Sequence, residues 1–313
     1  MKDYVLGIDT SNYTTSVAVT DKDENIVFDE RRLLKVKKGN RGLRQQEALF
    51  QHVDNLPELM DKVLNDDTRG RIAAVAVSSR PRSIEGSYMP CFKAGVTTGR
   101  AVAAAMGVPC VEFSHQEGHI ASVDPMVSDD FLCFHLSGGT GELLKVRNNG
   151  HGYDTSIIGR TLDISPGQLI DRIGVAMGLS FPAGSEMDRL ALEVSRRKPA
   201  YKISSEEKIK LKDLDFNLSG IETKITRYSI TDKEIIAAQV FELLSCMLTE
   251  LSQKARRQTG LETIVFTGGV SKSEYIRRSI IEKLDNAYFG ENPADNATGT
   301  AILGGRYIWQ QNR

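Results

Sequence analysis

The sequence predicts an α/β fold of two similar lobes, and three observations carry that reading. The chain has 313 residues, enough for two domains of roughly 150. Three short strands followed by alternating helix and strand patterns occur twice, without sequence identity between the copies. Polar or glycine turns close strands at three equivalent places, Asp9-Thr10-Ser11, Ser137-Gly138-Gly139 and Thr267-Gly268-Gly269. The domains are expected at residues 1–128 and 129–313, facing a cleft of the kind that ligands use, with the last helix able to pack back on the first lobe.

The first copy opens with YVLGIDTS, an apolar run ending in Gly, Asp, Thr and Ser, followed by TSVAVTD and NIVFDERR as two further strands of a meander. Residues 45–66 place Leu49, Val53, Leu56, Leu59, Met60 and Val63 at helical spacing. RIAAVAVSS reads as a buried strand, AGVTTGRAVAAAMG as a small-residue helix that packs closely on a sheet, and VPCVEF as the strand leading into SHQEGHI. The second copy has strands FLCFHLSGG, ELLKVRN and YDTSIIGRT, then a helix at about 165–178 and another from Glu186. Residues 196–232 are polar and weakly periodic and read as an irregular excursion. A long helix over 232–258 follows, then strand TIVFTGGV, a helix opening near Ser271, strand NAYFG and a final helix from about 295. This order is that of the actin–hexokinase-like ATPases.

Composition narrows the function. A hydrophobic share of 40% and a charged share of 26% are ordinary for a globular protein, and the net charge of −1 creates no global field toward nucleic acid or membrane. Any basic surface must be local. Residues 30–44 hold Arg31, Arg32, Lys35, Lys37, Lys38, Arg41 and Arg44, which can track a phosphate backbone, although a solvated loop is the commoner explanation. No uninterrupted apolar run spans a bilayer, and the opening MKDYVLGIDT has its acid too early for a signal peptide, so a cytoplasmic location without membrane contact is expected. Cys91, Cys110, Cys133 and Cys246 are scattered, which argues against a disulfide framework or a thiolate zinc site.

His115 and His119 stand four apart, one helical turn, near enough to share a metal. The metalloprotease pattern His-Glu-x-x-His is not met: the order is His-Gln-Glu-Gly-His, which turns Glu117 off the histidine face. Two histidines with one carboxylate suit zinc or iron and leave positions open for a substrate oxygen, so a third ligand is required. The plainer explanation is a polar pair on an exposed helix start. Asp295 before the final helix is a natural N-cap, and beside the histidines it is the leading third ligand. Asp9 can position a metal or water, or simply close an Asx-type turn. Gly138-Gly139 and Gly268-Gly269 let backbone N–H groups approach a phosphate or ribose, or serve as plain turns.

Seven blocks in order, VLGIDTSNYTTSVAV, SHQEGHI, LSGGTG, GQLIDRIGVAMGLSFPAGSEMDRLA, LDFNLSGIETKI, TIVFTGGVSKS and DNATGTAILGG, cover nearly the whole chain. Together they resemble the tRNA threonylcarbamoyladenosine synthase family, formerly catalogued as glycoproteases. The resemblance implies a divalent metal, iron or zinc, on His115, His119 and Asp295, with Asp9 and Ser11 as the catalytic pair. It implies an adenylate site of Leu136, Ser137, Gly138, Gly139 and Thr140, with Asp171 and Gly184 at the ribose or adenine, Asp188 close by, and Gly268, Gly269 and Ser273 completing the contacts. The implied reaction moves threonylcarbamoyl from its adenylate to the exocyclic amine of the adenine next to the tRNA anticodon. The implied partners are tRNA, a paralogous family subunit and an ATPase, or a second copy in a homodimer.

The chain departs from the family at identifiable positions. Asn12, Tyr13 and Thr14 replace an acidic first loop, SRPRSIEGSYMPC replaces a shorter glycine- and proline-rich loop, and Thr140-Gly141 replaces His-Thr. Ser273 stands for an asparagine and Glu222 for a lysine. The alternatives are a non-catalytic paralogue serving as partner subunit, or a carbamoyl-type transferase with a changed acceptor. An ATP phosphotransferase of the same fold lacks a clear catalytic carboxylate, and a metallopeptidase is disfavoured by Glu117.

Overall fold

The computed structural model describes residues 2–36, 43–123, 130–150, 152–197, 208–227, 232–290 and 296–310. The chain divides into two units, the first formed by residues 1–124, 148–154 and 294–313, the second by 125–147 and 155–293.

The first unit is organised on β1 (Tyr4–Asp9), β2 (Thr14–Asp21), β3 (Ile26–Leu33), β4 (Ile72–Arg80) and β5 (Cys110–Ser114), in the order β3-β2-β1-β4-β5. β1 to β3 are an antiparallel meander, while β4 and β5 run parallel to β1. β1 is buried along its whole length because both sheet faces are covered, which is why it reads as a continuous apolar run. Tyr4, Leu6 and Ile8 share a core with Leu56, Leu59 and Met60 of α1 (Gln45–Val63) and Ala94 and Ala103 of α3 (Phe92–Met106). The small residues of α3 bring it close, since a Cβ on Gly99 would lie 2.3 Å from Val77 Cγ1. A one-turn helix α2 (Asp66–Arg69), capped by Asn65, separates α1 from β4.

The alternate residues of β1 and β4 face the last helix, α10 (Asn296–Gln310). Contact there depends on glycine. A Cβ on Gly7 would stand 2.1 Å from the Ala297 carbonyl, and one on Gly304 would meet Ala76 and Val5. Gly299 packs against α4 (His115–Ala121), where a Cβ would reach 1.8 Å from the Gly118 carbonyl oxygen.

The second unit repeats the plan. β6 (Phe131–Leu136), β7 (Gly141–Asn148), β8 (Tyr153–Arg160), β11 (Ile264–Thr267) and β12 (Ala287–Phe289) lie in the order β12-β11-β6-β7-β8. β6 and β7 are antiparallel, and β11 is parallel to both β6 and β12. The order matches that of the first sheet strand for strand. The core of this unit packs Phe134, Phe266 and Leu143 with α5 (Pro166–Ala176), α6 (Gly184–Arg197) and α8 (Lys233–Thr259). Among the described helices α8 is the one long and apolar enough to cross a membrane, but 67% of its most apolar stretch is buried inside the protein.

Two sequence expectations change. The excursion at 196–232 is not wholly irregular: it holds the two-residue strands β9 (Leu211–Lys212) and β10 (Asp215–Phe216) and a helix, α7 (Ser219–Arg227). The cause is tertiary. Phe216 and Leu218 are fully buried, and the Asp163 carboxylate accepts the N–H groups of Leu218 and Ser219, at 2.8 and 3.0 Å, at the start of α7. Residues 198–207 and 228–231 of that stretch lie outside the described residues. The helix expected near Ser271 begins later: a 3-10 turn covers Gly269–Lys272, and α9 (Glu274–Ile281) starts after Ser273, whose side chain accepts the Ile276 N–H.

Gly299→Ala is expected to destabilise the protein by about 3 kcal/mol, because the added methyl has no room unless α10 leaves α4. The midpoint of urea unfolding measures it.

Candidate active site

In the first unit the site begins where β1 ends. Asp9 lies on the face that β1 turns to α10, and its carboxylate is fully buried. Oδ1 accepts the Ser11 N–H at 2.8 Å, which is the Asx turn, and Oδ2 lies 2.9 Å from His115 Nδ1. One carboxylate thus closes the loop and holds the imidazole. Burial would raise its pKa, but the adjacent His115 ring and hydrogen bonds from His115, Ser11 and Ser78 outweigh that and hold it down to about 2. An ionised carboxylate can only accept, so His115 Nδ1 carries a proton and donates it to Asp9.

His115 and His119 do occupy one face of α4, with ring centroids 4.4 Å apart and planes at 68°. The helix is not an exposed start. His119 is buried, the His115 side chain is 17% exposed, and Phe92 packs against the His115 ring at 5.9 Å. Glu117 is turned back on the helix N-terminus: it accepts the Ser114 N–H at 2.8 Å while Ser114 Oγ accepts the Glu117 N–H, a capping box. It also accepts a hydrogen bond from Ser83 Oγ. That geometry removes it as the general base of a peptidase.

Ser78 of β4 joins Asp9 to α10, since Ser78 Oγ lies 3.0 Å from Thr300 Oγ1 in a buried contact. Behind the first loop, His52 of α1 is fully buried, with Nδ1 2.8 Å from Thr15 Oγ1, which in turn accepts from Asn55 Nδ2 at 3.0 Å. Tyr13 in this loop has φ 77°, a left-handed conformation that a non-glycine residue adopts at some cost. Asp295 lies outside the described residues, directly before α10. Among the described residues no group of three His, Cys, Asp or Glu forms a metal cluster. The two imidazoles nevertheless fit a divalent metal, because a carboxylate behind Nδ1 is how proteins orient a ligating histidine.

In the second unit the turn after β6 is closed by Ser137, whose Oγ accepts the N–H groups of Gly139 and Thr140 at 3.3 and 3.0 Å. The Leu136 side chain is core, so only its main chain remains for a ligand. Ser165 Oγ donates to the Gly138 carbonyl at 3.0 Å and seats the N-terminus of α5 under the turn. The glycines fall into two kinds. Gly268, with φ 89°, is required by packing, since a Cβ would lie 2.3 Å from the Leu136 carbonyl oxygen. Gly138, Gly139, Gly184 and Gly269 face open space, and among the described residues no atom lies where a Cβ would meet it.

Asp171 accepts the Ala183 N–H at 2.8 Å beside Gly184, and burial raises its pKa against that bond. Asp188 and Ser273 are brought together: Ser273 Oγ donates to Asp188, which also accepts the N–H groups of Glu274 and Tyr275 at 3.0 and 3.2 Å. Asp188 therefore anchors the start of α9. Glu222 forms a 3.0 Å ion pair with Arg172 of α5. Sequence reading did not single out Ser78, Thr300, His52 or Ser83; a serine ending the apolar run RIAAVAVSS was the one available signal.

The fold is that of the actin–hexokinase-like ATPase class. Similar solved structures include the activator of 2-hydroxyisocaproyl-CoA dehydratase from Clostridium difficile, with TM-score 0.57 at 15% identity over 99% of this chain and 98% of that one. The ROK hexokinase from Thermus thermophilus has TM-score 0.50 at 12% identity, covering 99% and 100%. The sequence model for tRNA N6-adenosine threonylcarbamoyltransferase matches residues 31–294, and the chain belongs to that family of transferase enzymes. Relatives bearing that name include proteins of Neorickettsia sennetsu, 27% identical over 90% of this chain and 85% of the relative, and Syntrophotalea carbinolica, 28% identical over 85% and 80%.

Burial holds the pKa of His52 down to about 4, against an ordinary 6.5. Between those values the unfolded chain binds the additional proton, so stability is full above pH 6.5 and falls as pH drops toward 4, by up to about 3 kcal/mol. Urea unfolding at stepped pH should show this slope in the wild type and a shallower one in His52→Gln.

Proposed function

We propose that the chain transfers threonylcarbamoyl from threonylcarbamoyl-AMP to N6 of the adenine next to the anticodon of tRNA. The observation that carries the reading is the buried Asp9–His115 hydrogen bond beside His119, in a chain that belongs to this transferase family. His115 and His119, with Asp295, are the residues that would hold a divalent metal, iron or zinc. When bound, the metal polarises and orients the acyl donor. Asp9 keeps the His115 proton on Nδ1, so that Nε2 is the ligating atom. Ser11, whose N–H is tied to Asp9, keeps the loop closed around that carboxylate.

In the second unit the Ser137–Thr140 turn with Leu136, the open-faced Gly269, and Asp171 beside Gly184 are the contacts proposed for the adenylate. Gly268 and the Asp188–Ser273 pair support that surface by setting β11 against β6 and fixing α9. The adenine N6 lone pair forms the new bond to the carbamoyl carbon. The bond from that carbon to the phosphate oxygen breaks, AMP leaves with its electron pair, and the amine proton passes to water. A cytoplasmic setting and assembly with a paralogous subunit and an ATPase, or with a second copy, accompany this reading.

The chain incubated with threonylcarbamoyl-AMP and unmodified tRNA should form the modified nucleoside, read by mass spectrometry of digested RNA, with one AMP released per transfer. His115→Ala should lower the rate at least ~100-fold. Asp9→Asn should weaken zinc affinity about 10- to 100-fold in chelator competition, the usual effect of removing a carboxylate behind a ligating histidine. The replacement of an acidic loop by Asn12, Tyr13 and Thr14 favours one second reading, a non-catalytic partner subunit. That reading requires the chain alone to be inert and to raise the rate of a paralogue with the acidic loop.

A further inference from the structure

The loop between β4 and α3 is tied to the histidine helix. The Pro81 carbonyl accepts the Gln116 N–H at 3.1 Å, and Ser83 Oγ donates to Glu117 and stands 3.0 Å from Ser114 Oγ. The loop closes on itself through the Arg82 N–H, which donates to Ser87 Oγ at 3.0 Å, and the Ser87 N–H, which donates to the Ile84 carbonyl at 3.2 Å. With its base fixed, it still presents two large apolar side chains to solvent, Ile84 at 50% and Tyr88 at 60% exposure. The Lys93 ammonium lies 5.8 Å from the Tyr88 ring centroid. Arg80, Arg82 and Lys93 flank the tip, and Glu85 is the one acid between positions 80 and 93.

An exposed aromatic ring with an ammonium near its face, in a loop that carries two arginines and one acid on a chain of net charge −1, is a local feature that the global field does not explain. Single-stranded RNA is recognised by stacking its bases on aromatic side chains, with its phosphates on Arg and Lys. We infer that the loop 80–93 is an RNA-docking surface, in which Tyr88 and Ile84 receive an unstacked base of the acceptor's anticodon loop and Arg80, Arg82 and Lys93 receive its phosphates. The inference rests on the transferase reading above. It adds to that reading where the acceptor lies: against α4, on the loop tied to the helix N-terminus through Pro81 and Ser83.

The test is fluorescence anisotropy of the full chain with an unmodified anticodon stem–loop RNA across a salt series. Tyr88→Ala should weaken binding ~5- to 100-fold, the range found for losing one stacked base, while Tyr88→Phe should bind as the wild type does. Lys93→Ala should reduce the slope of log affinity against log salt by about 0.7, the value for one single-strand phosphate contact. Lys254→Ala on the second unit, whose ammonium is engaged by Asp213, should change neither. Zinc content equal to wild type would show that the histidine helix is undisturbed. If the wild type binds RNA and forms product while Tyr88→Ala and Lys93→Ala keep its affinity and slope, the docking surface is overturned and the transferase reading stands. If those variants keep RNA affinity but lose a co-purifying protein subunit, the loop is a protein contact and the inference fails. A wild type that binds no RNA overturns the transferase reading and the inference together.

Discussion

A buried carboxylate without compensation would cost several kcal/mol, and in the first unit the surroundings of Asp9 are arranged to avoid that cost. Its two oxygens draw on the end of its own strand through Ser11, on β4 through Ser78 and on α4 through His115. Thr300 then ties Ser78 to α10. Four elements distant in sequence are thereby placed by one charge. The same bond that satisfies the carboxylate fixes a proton on His115 Nδ1, so in the proposed function fold stability and the orientation of the imidazole share one interaction.

The second unit uses the same strand order for different ends. Where β1 is followed by a buried acid, β6 is followed by the Ser137 hydroxyl, which organises the backbone of Gly139 and Thr140 without adding charge. A turn of this kind carries no charge and keeps its glycine positions open, whereas an acid there would repel an anion. The repeat thus separates two tasks: imidazoles held by a carboxylate in one unit, glycine and hydroxyl groups in the other. Asp188 shows the limit of reading roles from motifs, since its carboxylate is occupied with the start of α9.

Much of the architecture was legible because periodicity reports burial directly. Strands buried on both faces, such as Tyr4–Asp9 and Ile72–Arg80, read as apolar runs, and the histidine pair read correctly as one helix face. Asp9 offered two readings, an Asx turn or a carboxylate that positions a metal or water; Oδ1 forms the turn, and Oδ2 holds the His115 ring. What escaped were contacts without a local signature. Ser78 and Thr300 are 222 positions apart, and nothing in either neighbourhood announces the other. The helix Ser219–Arg227 was invisible because its start depends on Asp163, more than fifty residues earlier. Ser114-x-x-Glu117 is a capping-box pattern in the sequence itself, and it accounts for the direction in which Glu117 turns.

The glycine-lined seat of α10 has a consequence for how the chain is made. Residues 296–310 are synthesised after every strand of both sheets, yet they cover a face of the first one. The early meander and β4 therefore leave the ribosome with a bare apolar side that stays open until α10, more than 200 residues later, has been made. Nascent first-unit sheet is the species in which chaperone binding or premature aggregation should concentrate.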